Sequence, residues 1–264
     1  GFGRKVNALA LGLRQLGVDK GDRVAIYAEN RVEWTIADMA ILSLGAVTVP
    51  IYATNSAEQV RFILEHSGSK LVFINSGEQA QRVARNRAGL TALSHVVSLS
   101  VLDDQGGCDM TFNDLLERGA GQGESRVHPE ALNLDDTATI IYTPGTTGPP
   151  KGCVITHRNI IYICQSLSSA LPVKPGDTVF SFLPLAHVME RNGRQFVTIY
   201  NGIATAYASS LGSVTSELRE VQPNWSLAVP RFLERAYDRV YAALSEASRT
   251  RRRIFQWALG LGQR

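Results

Sequence analysis

Cysteine is scarce in this sequence. Cys108, Cys153 and Cys164 are the only three in 264 residues. None belongs to a C-x-x-C pair, and an odd number of thiols argues against a disulfide framework. A reducing, cytoplasmic setting is therefore expected. An excess of charge of one sign is also lacking: 27 Lys and Arg against 24 Asp and Glu leave a formal +3. That is too little to hold a polyanion, so nucleic acid is set aside as a partner. Uninterrupted apolar runs are short. Residues 34–53 come nearest to one, with Asp38 as their only charge. Gly45 and Pro50 break the run and β-branched residues follow the glycine, so it reads as helix, turn and buried strand rather than a membrane span. No secretory leader opens the chain, and a first residue other than Met fits a piece of a longer product. What is present is ordinary for a globular protein. The sequence is 44% hydrophobic and 19% charged, and long enough for one large domain or two lobes.

Helical and strand periodicities alternate along the chain. Val6, Leu9, Leu13 and Leu16 share one helical face, and Gly17 is placed to end that helix. Strands are expected at 22–28, 46–51 and 70–74, with a helix at 31–44 between the first two. Ser56-Ala57-Glu58-Gln59 has capping-box spacing and opens a helix running towards His66. Residues 76–87 read as a polar surface helix, and 103–107 and 119–124 as loops. The same grammar resumes with a strand at 137–142, a glycine-rich loop and a helix capped by Thr156. Strands at 177–183, 204–208 and 225–229 follow, then a long helix from Pro230. Strands alternating with helices imply an α/β fold with parallel-rich sheets sandwiched by helices. Gly21-Asp22-Arg23-Val24 and Gly176-Asp177-Thr178-Val179 each begin a strand, and Gly45 and Gly202 precede the closing strands at similar spacing. Two pseudo-repeated lobes, 21–142 and 176–264, are one reading; reuse of a Gly-Asp turn is the other.

The segment richest in chemistry is Tyr142-Thr143-Pro144-Gly145-Thr146-Thr147-Gly148-Pro149-Pro150-Lys151-Gly152. It leaves an apolar strand directly. Its glycines let backbone approach a ligand, its N–H groups and threonine hydroxyls suit phosphate oxygens, and Lys151 adds a mobile positive charge. It is not a Walker A loop, which needs Gly before the Lys and Ser or Thr after it. An exposed Gly-Pro-Thr turn is the plainer alternative.

This segment resembles the signature loop of adenylate-forming enzymes: acyl-CoA synthetases, luciferases and peptide-synthetase adenylation domains. The family pattern is Tyr-Thr-Ser-Gly-Thr-Thr-Gly-x-Pro-Lys-Gly, matched here except at Pro144. The proline removes a hydroxyl and an N–H, fixes its own φ and biases Thr143 towards extended geometry. A second segment, residues 183–191 (Leu-Pro-Leu-Ala-His-Val-Met-Glu-Arg), resembles one found in long-chain acyl-CoA synthetases. Residues 229–235 and the basic-then-apolar tail at 251–262 fit that branch too. That tail reads either as a solvated helix face or as a peripheral contact with an anionic membrane.

The resemblance covers nearly the whole chain and implies the N-terminal portion of such an enzyme. Implied substrates are a fatty acid, ATP and coenzyme A, with Mg²⁺. Thr143, Gly145, Thr146, Thr147, Gly148 and Lys151 would hold the phosphates, and Thr146 would touch the metal. Lys151 and His187 would be catalytic. His187 and Glu190 would line the acyl pocket, unless Glu190 and Arg191 form a structural ion pair. The family's adenine, ribose and hinge motifs and its C-terminal domain lie downstream of residue 264, so residues 1–264 are expected to be an incomplete AMP-binding domain whose missing portion is itself a partner. A fatty acyl-AMP ligase, another adenylate-forming ligase, or an inactive nucleotide- or lipid-binding fragment remain as alternatives.

Overall fold

Successive apolar residues in the early strands point to opposite sides of one sheet, and this alternation organises the core. A computed structural model describes residues 1–102, 107–122, 126–127, 132–143 and 149–262. The chain divides into two units, Gly1–Trp225 and Ser226–Arg264.

In the first unit, β1 (Arg23–Tyr27), β2 (Val47–Ile51), β3 (Leu71–Ile74), β4 (His95–Ser98), β5 (Met110–Thr111), β6 (Thr137–Thr143) and β7 (Lys151–Thr156) form one sheet in the order β5-β4-β3-β1-β2-β6-β7. All neighbours are parallel except β6 and β7, which are antiparallel. Val24, Ile26, Leu71 and Phe73 face a core shared with α1 (Phe2–Gln15), α2 (Val32–Ser43) and α5 (Phe112–Ala120). Ala25, Tyr27, Val72 and Ile74 face the other way, onto α3 (Ala57–Ser67) and α4 (Gly77–Ala84). Helices on both faces of a mostly parallel sheet are the architecture expected from the alternating pattern. Residues 34–53 are indeed helix, turn and strand. Among the described residues no helix is long and apolar enough to cross a membrane.

Ser56 and Gln59 make the reciprocal capping box at the start of α3, and Thr156 does the same with Asn159 at α6 (His157–Ala170). The region 76–87 is a shorter helix than expected and not purely superficial, since Gln79, Ala80 and Val83 are buried. Gly119, expected in a loop, is inside α5. A Cβ there would lie 1.7 Å from the Ala8 carbonyl oxygen, and one on Gly12 would lie 2.3 Å from that of Leu115. These glycines are needed where α1 and α5 touch backbone to backbone.

A second sheet contains β8 (Thr178–Ser181) and β9 (Ala204–Tyr207), paired in parallel. Its entry turn matches that of β1. Asp22 accepts from Asp19 N–H, and Asp177 from Lys174 N–H, each through Oδ2 at 2.9 Å. The Asp22 carbonyl accepts from Val47 N–H and the Asp177 carbonyl from Ala204 N–H, starting the two parallel pairs alike. Gly21, Gly45, Gly176 and Gly202 all have positive φ, which explains glycine at these four equivalent places.

After β8 come α7 (Val188–Glu190), a π-helical turn (Arg191–Gln195), α8 (Phe196–Tyr200) and, beyond β9, α9 (Val214–Val221). The second unit carries α10 (Pro230–Ser245), with Pro230 in its first turn, and α11 (Arg249–Gly262). Neither helix buries a residue, and Tyr237 packs on Tyr241 with ring centroids 4.1 Å apart.

Candidate active site

The two ends of the phosphate-loop segment are brought together by a hairpin. β6 leaves through Thr143 and β7 returns through Lys151, and these two residues are cross-strand partners, both exposed. Lys151 therefore begins a strand that the sequence reading did not anticipate, and its side chain stands beside Thr143 at the loop's mouth. Pro144, Gly145, Thr146, Thr147 and Gly148 lie outside the described residues.

The stem beneath the loop is anchored through Tyr142. Its hydroxyl meets His66 Nδ1 at 2.8 Å, and Phe62 stacks on the His66 ring at 5.3 Å. Burial raises the Tyr142 pKa above its ordinary value, so the phenol stays protonated. Gly152 leaves room for this arrangement, because a Cβ there would come within 2.8 Å of Ile140 Cγ2 and 3.3 Å of Tyr142 Cζ.

His187 lies after β8, at the N-cap of α7, and is exposed. Its Nδ1 accepts from Met189 N–H at 3.1 Å. A ring nitrogen that accepts carries no proton, so the neutral imidazole bears its proton on Nε2. It is thus set to present a donor outward. Glu190, by contrast, is 1% exposed. It accepts from the Ser181 hydroxyl at 2.6 Å and from Arg194 Nε. Burial raises its pKa, and Arg194 and Ser181 oppose the rise.

Glu190 and Arg191 do not pair with each other. Glu190 pairs with Arg194, one helical turn on, while Arg191 makes a two-pronged contact with Asp38 of α2. Asp38 also accepts from Gln195 Nε2 and the Thr48 hydroxyl, each at 2.7 Å. The π-helical widening at 191–195 buries Arg191, Arg194 and Gln195 together. Sequence reasoning missed Asp38 and Arg194, although a lone carboxylate inside an apolar run is the signal that a buried partner exists.

The site residues thus fall into two groups. Thr143 and Lys151 meet at the hairpin, whereas His187 and Glu190 share the segment after β8. Among the described residues no hydrogen bond or ion pair joins the groups. No cluster of three or more His, Cys, Asp or Glu among the described residues could hold a metal ion, and Thr146, the candidate metal contact, lies outside them.

The chain is similar to known proteins over most of its length. A long-chain-fatty-acid–CoA ligase of Mycobacterium bovis is 37% identical over 238 residues, covering 89% of this chain and 39% of that protein. The chain therefore spans about two fifths of the length of such a curated relative. The structure of a Mycobacterium tuberculosis fatty acyl CoA synthetase superposes with a TM-score of 0.69 at 28% identity, covering 88% of this chain and 44% of that one. The adenylation domain of a Mycobacterium chelonae carboxylate reductase reaches 0.81 at 21% identity over 94% of this chain and 41% of that one, a likeness of fold alone. Residues 2–257 match the family described as AMP-binding enzyme, and the chain belongs to that family.

Proposed function

We propose that this chain is the N-terminal part of an enzyme that activates a long-chain fatty acid. The fatty-acid carboxylate attacks the α-phosphorus of ATP, forming acyl-adenylate and expelling pyrophosphate. The thiol of coenzyme A then attacks the acyl carbon, loses its proton and releases AMP. A carboxylate is a poor electrophile, and adenylation supplies its leaving group, so the protein's task is positioning and charge neutralisation. The observation that carries this reading is the hairpin that returns Lys151 beside Thr143 across a family-matching loop.

In this account Lys151 neutralises phosphate charge. Thr143, Gly145, Thr146, Thr147 and Gly148 contribute hydroxyl and backbone donors, and Thr146 supplies an oxygen to the Mg²⁺ that accompanies ATP. His187 offers its Nε2 proton to the substrate carboxylate or the developing acyl-phosphate oxygen. Glu190 shapes the acyl pocket from behind, through its grip on Arg194 and Ser181. The remaining catalytic machinery lies in the rest of the protein. The setting is cytoplasmic, and the basic run Arg249, Arg251, Arg252 and Arg253 of α11 offers a surface for peripheral contact with anionic membrane. Pro144 favours a second reading, a nucleotide-binding protein with weakened phosphate grip, because it removes two donors from the loop.

The test is fatty-acid-dependent exchange of labelled pyrophosphate into ATP by the longest form of the gene product. Exchange that is abolished by Lys151→Ala supports the proposal. ATP binding without exchange, whatever the fatty acid, supports the second reading instead.

A further inference from the structure

The segment that carries His187 has little regular structure of its own. Pro184 has no N–H to donate, so the stretch between β8 and α7 cannot be tied down by a continuous ladder. It is held instead by a side chain from the main sheet. Asn30 sits in the turn after β1, one residue before the N-cap of α2. Its Nδ2 donates to the Leu183 carbonyl at 2.6 Å and to the Ser181 hydroxyl oxygen at 3.3 Å. Its Oδ1 accepts from Leu185 N–H at 2.8 Å. One amide thus reads the backbone on both sides of Pro184, donor to one residue and acceptor from the other, as a neighbouring strand would. From there the path to the imidazole is short, since His187 N–H donates to the Pro184 carbonyl at 2.9 Å.

We infer that Asn30 is a positioning residue for His187, holding the 183–187 backbone at the height from which the imidazole meets substrate. The inference rests on the functional reading above for the role of His187, but not for the clamp itself. Two other anchors hold the same segment. Leu185 is 1% exposed in the main core, and Glu190 is bound to Arg194 and Ser181. With those in place, loss of the Asn30 amide loosens the Pro184 turn without releasing the whole segment. The expected signature is a catalytic defect out of proportion to the loss of stability. Only a side chain with both a donor and an acceptor at this reach serves. Asn30→Asp keeps the acceptor for Leu185 and loses both donated bonds; Asn30→Ala loses all three.

The experiment uses the longest form of the gene product. It compares Asn30→Ala and Asn30→Asp with Asn201→Ala, which removes another half-buried amide bonded to Ser168 and to the Val197 carbonyl, away from this segment. Pyrophosphate exchange gives kcat and the KM for ATP, and hydrogen–deuterium exchange follows the peptide spanning 183–187. Both Asn30 variants are expected to lower kcat about tenfold or more while leaving the KM for ATP unchanged, because an ångström-scale misplacement costs rate rather than nucleotide affinity. Amide exchange at 183–187 is expected to rise about tenfold in Asn30→Ala, and Asn201→Ala to change neither. Wild-type kcat in both Asn30 variants, unchanged amide exchange at 183–187, or an equal kcat loss in Asn201→Ala would overturn the inference. If the unmutated protein exchanges no pyrophosphate with any fatty acid, the functional reading falls. The amide-exchange arm then decides the clamp alone.

Discussion

The Asp38–Arg191 pair ties α2 to the π-helical turn, and removing its cation is a demanding test of how the first unit is held together. Both side chains are 0% exposed. In Arg191→Met, Asp38 keeps the Gln195 amide and the Thr48 hydroxyl but loses its counter-charge and two of its four donors. An uncompensated buried charge costs about 3–5 kcal/mol. For a unit of this size that corresponds to a fall in Tm on the order of 10 °C. Pairing the change with Asp38→Asn removes the stranded charge and leaves mainly imperfect hydrogen bonding, at about 1–2 kcal/mol. The double variant should therefore be more stable than Arg191→Met alone by about 2 kcal/mol, a non-additivity that directly coupled groups produce. Urea denaturation of wild type, both single variants and the double variant provides the assay. A loss below about 1 kcal/mol in Arg191→Met, or a double variant no more stable than that single one, would refute the reasoning.

Gly119→Ala should cost about 1–3 kcal/mol by forcing α1 and α5 apart. Gly3→Ala, where a Cβ meets nothing within 4 Å, should be neutral or gain about 0.5–1 kcal/mol; the same denaturation series checks both. Ser56→Ala removes the cap that accepts from Gln59 N–H and should cost about 1 kcal/mol, with Ser56→Gly costing less. His157 should make stability depend on pH. Burial depresses its pKa below the ordinary 6.5, against an opposing pull from Asp136. The unfolded chain thus binds a proton that the folded chain resists. Stability should be full above about pH 6.5 and fall as pH drops through the folded pKa. Tm measured from neutral to acidic pH should show this limb in wild type and a flatter one in His157→Gln; parallel curves would contradict it.

Strands β1, β2, β3 and β6 were legible because they follow the simplest rules, whereas the short β4 and β5 were not expected. Residues 23–27 and 71–74 alternate between two apolar faces, and Ser56 and Thr156 announce their helices by spacing. What escaped was set by tertiary contact. Gly119 looks like a loop residue and is helical, because only the approach of Ala8 explains a glycine there. β7 is an edge strand with exposed Lys151, Gly152 and Cys153, which mutes the apolar pattern that would have marked it. Of the candidate site, the sequence put Thr143 and Lys151 at the two ends of one loop but did not reveal the antiparallel strand that pairs them. The adjacency of Glu190 and Arg191 misleads, since side chains one residue apart on a helix do not face each other and each finds its partner elsewhere. Asn30 could not have been singled out from sequence, because its three contacts lie more than 150 residues away.

The most direct measurement is a single-turnover reaction of the longest form of the gene product with labelled long-chain fatty acid and ATP, without coenzyme A. The account predicts an enzyme-bound acyl-adenylate that accumulates, then discharges to acyl-CoA and AMP when coenzyme A is added. ATP bound without any adenylate formed, or an adenylate that coenzyme A does not discharge, would contradict it.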